Sequence, residues 1–169
     1  MNISKTISKG IDILKENEIR NPQLDVEILL SKLIKKDKKY LILNPEEVVS
    51  SEKLDIFKNL IERRKKGEPV AYLINEKAFW KNVFYVDKDV LIPRPDTELL
   101  IEKILKIYSN KPQLQILDIG TGSGCIILSL LKERKKDYGT GIDISKKSIN
   151  VSKINAELLN LSNRAKFFH

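Results

Sequence analysis

The chain has 169 residues, 41% hydrophobic and 32% charged, which suits one medium domain, or a small domain with part of a larger one, and does not suit a disordered segment. A single cysteine, Cys125, excludes an intrachain disulfide and a cysteine metal cluster, and no apolar stretch has signal-peptide or membrane-spanning length, so a cytoplasmic protein without membrane contact or metal is expected. The net charge of +8 comes largely from pairs such as Lys35-Lys36, Lys38-Lys39, Lys65-Lys66, Lys135-Lys136 and Lys146-Lys147, placed at helix ends and turns without interleaved aromatics, so direct nucleic-acid binding is not expected.

Residues 1–66 have helical periodicity, with Ile3, Ile7, Ile11 and Leu14 on one stripe and Leu24, Ile28, Leu29, Leu33 and Ile34 on another. Asn21-Pro22 and Asn44-Pro45 separate helices, since proline cannot continue one and asparagine can cap the next. A third helix is expected over 51–64, and Gly67-Glu68-Pro69 ends the bundle. Nothing in these helices has the pattern of a metal or acid–base site, which points to a docking module.

Residues 67–95 change to β-rich composition. Ala78-Phe79-Trp80 and the run from Val83 to Val86 flank Lys81-Asn82, a candidate two-residue hairpin turn, and Val90-Leu91-Ile92 leads to Pro93-Arg94-Pro95. Asp96 or Thr97 then caps an amphipathic helix that ends near Tyr108.

Residues 96–169 hold the chemistry. The run from Leu114 to Ile119 is a buried strand entering Gly120-Thr121-Gly122-Ser123-Gly124, after which Ile126, Ile127, Leu130 and Leu131 recur at helical spacing. Three glycines in five residues permit positive φ and close backbone approach, and a helix starting there offers free N–H groups to a ligand. The dinucleotide fingerprint needs a further glycine where Cys125 stands, so the spacing fits S-adenosylmethionine better. A second strand over 138–142 ends at Asp143, where a carboxylate can accept the ribose hydroxyls. The alternative is an ordinary tight turn, with Asp143 capping the helix that starts near Ser145. A helix over 145–160 and a strand over 165–168 complete the chain.

Taken together, Arg63-Arg64-Lys65-Lys66-Gly67-Glu68-Pro69-Val70-Ala71-Tyr72-Leu73, Phe79-Trp80, Leu91-Ile92-Pro93-Arg94-Pro95-Asp96-Thr97-Glu98 and the glycine loop resemble the bacterial release-factor glutamine methyltransferases over essentially the whole length. Asn75 stands where that family's pattern has glycine. The resemblance implies an α/β fold: an N-terminal helical bundle, a β-hairpin connector and the first half of a Rossmann-like class I methyltransferase sheet. It implies transfer of a methyl group from S-adenosyl-L-methionine to the glutamine amide of the Gly-Gly-Gln tripeptide in peptide chain release factors, which are the implied protein partner. It assigns the cofactor to Gly120, Thr121, Gly122, Ser123, Gly124 and Asp143, with Asp118 orienting the methionine amino group and residues 94–98, Arg94 and Thr97 among them, lining the pocket.

The family's Asn-Pro-Pro-Tyr loop, which aligns the poorly nucleophilic amide nitrogen, does not occur in this sequence, and His169, the only histidine, gets no catalytic role. No catalytic residue is therefore assigned. The chain reads as an N-terminal fragment whose sheet edge is bare, with weak or no cofactor binding and no turnover. A non-catalytic protein- or RNA-binding role and a nucleic-acid amino-methyltransferase remain the alternatives.

Overall fold

Short polar side chains open most helices of the first half. In a computed structural model describing residues 1–169, Asn2 Oδ1 accepts the Lys5 N–H at 2.9 Å at the start of α1 (Ile3–Glu16). Pro22 stands first in α2 (Pro22–Ile34), where its missing N–H has no helical partner to lose, and Asn21 makes no side-chain cap. Asp37 caps the short α3 (Lys38–Leu43) through the Tyr40 N–H, and Ser50 caps α4 (Ser51–Lys65) through the Lys53 N–H.

Asn44-Pro45 thus separates helices without capping the next. Its segment is held instead by the N-terminus: Pro45 and Glu47 carbonyls accept the Ser4 and Ile3 N–H groups at 2.9 Å, and Asn2 bridges Val48. Gly67 turns the chain at φ +91°, but a further helical turn follows, α5 (Val70–Leu73), because Leu73 is buried in the same core. That core gathers Ile3 and Leu14 of α1, Val26, Leu29 and Leu30 of α2, and Phe57 and Ile61 of α4. Gly10 permits the close crossing: a Cβ there would lie 3.1 Å from Val26 and 3.2 Å from Phe57. These elements form the first of two units, Met1–Ile74.

The second unit, Asn75–His169, begins with the hairpin β1 (Glu76–Phe79) and β2 (Asn82–Tyr85). Phe79 pairs with Asn82, so the turn is Trp80-Lys81 and not Lys81-Asn82. Tertiary partners explain the shift. Trp80 adopts φ +53° with its N–H donated to Glu98 Oε1 and its indole N–H to Glu133 Oε1, both at 2.8 Å. Asn75 takes the glycine-like φ of +53° and donates Nδ2 to the Val86 carbonyl at 3.2 Å, so the turn survives the exchange.

Residues 90–92 do not pair as a strand. A 3₁₀ turn, Pro95–Thr97, runs into α6 (Glu98–Ile107), and neither Asp96 nor Thr97 supplies a side-chain cap. Then come β3 (Gln115–Ile119), α7 (Cys125–Glu133), β4 (Tyr138–Ile142), α8 (Lys146–Leu158) and β5 (Ala165–Phe168). The three strands are parallel in the order β3-β4-β5, the product of two successive strand–helix–strand crossovers.

One sheet face is covered. Gly139 and Gly141 of β4 let Ile127 and Phe167 sit against the backbone, and Leu128, Leu131 and Ile149 fill the layer beneath α7 and α8. Leu117 and Ile119 of β3 and Phe168 of β5 point to the other face and are exposed.

Candidate cofactor site

The site lies where β3 and β4 end. Gly120, Gly122 and Gly124 take φ of +77°, +55° and +78°, conformations that side-chain-bearing residues rarely hold. A Cβ at Gly124 would also come within 3.0 Å of Leu128 and 3.3 Å of Ser152. The loop is therefore fixed by backbone conformation at its start and by helix packing at its end.

Four of the five loop amides are committed to the protein itself. Gly120 and Thr121 donate to the Ile142 carbonyl at 2.9 and 3.0 Å, Gly122 donates to Asp143 Oδ2 at 2.9 Å, and Gly124 donates to the Thr121 carbonyl at 2.8 Å. The helix N–H groups expected to face a ligand are a separate set, those that open α7, of which the Ile127 N–H bonds the Asp118 carboxylate. A phosphate cradle needs several convergent unpaired donors, which these four amides do not provide.

Acidic groups take the donors' place. Asp143, following β4, also accepts the Ser145 N–H at 2.9 Å through Oδ1, so its carboxylate holds the glycine loop with one oxygen and the approach to α8 with the other. Asp118, on β3, accepts the Thr121 hydroxyl at 2.8 Å. Burial raises the Asp118 pKa, the Thr121 hydroxyl and the Ile127 N–H oppose that rise, and the nearby Asp143 charge adds to it. Cys125 opens α7 with its thiol pushed up to about 11 by burial, which leaves it a neutral packing group.

A cavity of about 620 Å³ opens here, lined by Ile119, Gly120, Ile142, Asp143, Ile144 and His169. The structure thus brings Gly120 and Asp143 to one cavity wall, with Thr121, Gly122, Ser123 and Gly124 in the turn that follows and Asp118 on β3 before it, none of these five among the lining residues. Arg94 is exposed and Thr97 half-buried on the segment entering α6, and neither is among the cavity's lining residues. Sequence reasoning gave no site role to Ile119, Ile142, Ile144 or His169. The first was legible from strand alternation, which puts Ile119 on the open face with Leu117; His169 reaches the wall through its Nε2, 3.1 Å from the Ile144 carbonyl.

Residues 5–74 match the family described as PrmC N-terminal domain, and residues 110–168 match a methyltransferase domain. The release factor glutamine methyltransferase of Buchnera aphidicola subsp. Acyrthosiphon pisum (strain APS) is 41% identical over 169 residues, covering 99% of this chain and 60% of that protein. Across nearly its whole length the chain is similar to release factor glutamine methyltransferases. The release factor glutamine methyltransferase of Caulobacter vibrioides (strain ATCC 19089 / CIP 103742 / CB 15) is 34% identical, covering 100% of this chain and 58% of its own length. The chain thus spans about 60% of the length of these relatives. A solved SAM-dependent methyltransferase from Geobacter sulfurreducens, in complex with S-adenosyl-L-homocysteine, is a partial likeness: 28% identity, 45% of this chain, 29% of that one, TM-score 0.38.

Proposed function

We propose that the whole protein methylates the side-chain amide of the glutamine in the Gly-Gly-Gln tripeptide of peptide chain release factors, with S-adenosylmethionine as donor. Similarity to release factor glutamine methyltransferases supports the reaction, and one structural observation supports the donor. The glycine loop spends four of its five amides internally and sets two carboxylates, Asp118 and Asp143, beside the turn. Such a site favours a nucleoside that is cationic and free of phosphate over a dinucleotide.

S-adenosylmethionine supplies a methyl group activated by a positively charged sulfur. In this reading Gly120 to Gly124 pack against the ligand's methionine and ribose parts, and Asp143 accepts the ribose hydroxyls with the lone pairs its two backbone bonds leave. Asp118 faces the ligand's ammonium. Ile119, Ile142 and Ile144 offer an apolar wall for its base. Arg94 and Thr97 are assigned to the pocket on the family resemblance alone. The helical unit docks the protein substrate.

The chain contains no Asn-Pro-Pro-Tyr run, and it is proposed to bind the donor weakly without turning over. The test is incubation of the chain with S-adenosylmethionine and a release factor, followed by mass analysis of the Gly-Gly-Gln peptide. Unmodified glutamine beside measurable donor binding is the expected result; methylated glutamine would place the amide-activating group among these residues.

A further inference from the structure

Asn155, in α8, has no exposed surface. Its side chain bonds two distant backbone segments. Nδ2 donates to the Tyr85 carbonyl at 2.9 Å and to the Ser123 carbonyl at 2.8 Å, while Oδ1 accepts the Tyr85 N–H at 2.7 Å. The partners fix the amide's orientation, because the reverse would set its oxygen against two carbonyl oxygens.

Each end has a reason to need this. Val86 donates to the Asn75 carbonyl, and Tyr85 lies opposite Glu76, a position whose backbone groups face away from the partner strand. The Asn155 amide therefore stands in for a neighbouring strand on the open edge of β2. At the other end, Ser123 precedes Gly124, whose φ of +78° turns the chain into α7. Fixing the Ser123 carbonyl fixes the peptide plane that enters this turn.

We infer that Asn155 is a positioning residue that couples β2 to the glycine loop, so that a ligand seated in the loop is felt at the hairpin and disorder in the hairpin loosens the loop. The inference rests on the nucleoside reading of the site for its ligand, while the mechanical link stands on the three hydrogen bonds. A buried side-chain amide with all these partners satisfied is costly to disturb at one end alone, since any shift leaves a donor or acceptor unpaired.

The test is residue-resolved amide hydrogen exchange on the chain, with and without saturating S-adenosylhomocysteine, and on the Asn155→Asp variant without ligand. In the wild type, ligand is expected to slow exchange several-fold at both 120–124 and Tyr85. Protection of the loop with Tyr85 unchanged would overturn the coupling. Asn155→Asp keeps the acceptor for the Tyr85 N–H and removes both donors, so exchange at Gly124 is expected to quicken; an unchanged Gly124 would equally overturn it. If ligand protects neither segment, the nucleoside reading fails, and the ligand-free comparison decides the link by itself. If the variant does not fold, the wild-type pair of measurements decides.

Discussion

The Asp143 carboxylate and the Gly122 amide lie 2.9 Å apart, one following β4 and the other inside the turn that leaves β3. A residue read from the sequence as a ligand contact is thus also a brace for the loop that holds the ligand. The brace and the proposed ribose contact would use different lone pairs of one carboxylate.

Replacing Asp143 should therefore act twice. Asp143→Ala removes the acceptors for Gly122 and Ser145 along with the ribose partner, and donor affinity is expected to fall by about 1–3 kcal/mol, together with a lower melting temperature. Asp143→Asn keeps one acceptor oxygen and should lose less on both counts. Calorimetric titration of the three proteins checks the order; equal affinities would remove Asp143 from the site.

Asp118 makes a pH prediction with opposite signs for binding and stability. Burial is the largest influence on its carboxyl and raises its pKa above the ordinary 3.8. As pH falls through the raised value the folded state takes up a proton before the unfolded state does, so this group's contribution to stability rises on acidification. Affinity for a cationic ligand should fall over the same interval, because the charge that attracts it is lost. The difference between wild type and Asp118→Asn, followed from neutral pH downward, isolates both effects.

Cys125 should resist alkylation in the folded protein. Its thiol is pushed up to about 11 from an ordinary 9.0, with burial the leading cause, so almost no thiolate exists near pH 8. The same shift predicts a stability loss at high pH. The unfolded thiol ionises from about pH 9 while the folded one holds its proton until about 11, and stability contributed by this group declines across that window. Iodoacetamide labelling with and without denaturant, and melting curves of wild type against Cys125→Ser from pH 8 to about 11, test both statements.

Gly141 should tolerate no side chain. A Cβ there would stand 2.6 Å from the Phe167 ring and 2.8 Å from Thr121 Oγ1. Gly141→Ala is expected to cost about 1–3 kcal/mol through overpacking, and to weaken donor binding because Thr121 belongs to the loop. Gly139→Ala meets Ile127 at 2.6 Å instead and serves as the comparison. It should destabilise the fold to a similar degree with a smaller effect on binding.

The strand–loop–helix unit was legible because local signals agreed there. The extent of β4 and β5, the start of α7 at Cys125 and the acid after β4 all follow from apolar runs bounded by turn residues. The hairpin turn was displaced by one residue because Glu98 and Glu133, both remote in sequence, hold Trp80 in a conformation its own chemistry disfavours. The short helices α3 and α5 carry too few residues for a periodic signal, and α5 exists because Leu73 joins a core assembled elsewhere. At the site, the glycines announced the turn, but the fate of their amides depended on the Ile142 carbonyl and the Asp143 carboxylate across the sheet. Asn155 gave no sequence signal at all, since its partners Tyr85 and Ser123 are 70 and 32 residues away.

The most direct measurement is calorimetric titration of S-adenosylmethionine into this chain, beside NAD and the Asp143→Ala variant. Weak, saturable binding of S-adenosylmethionine at one site, reduced by the substitution and unmatched by NAD, is the predicted result. Binding of NAD in preference to S-adenosylmethionine would show that the loop has amides to give a pyrophosphate, and would contradict the account of the site.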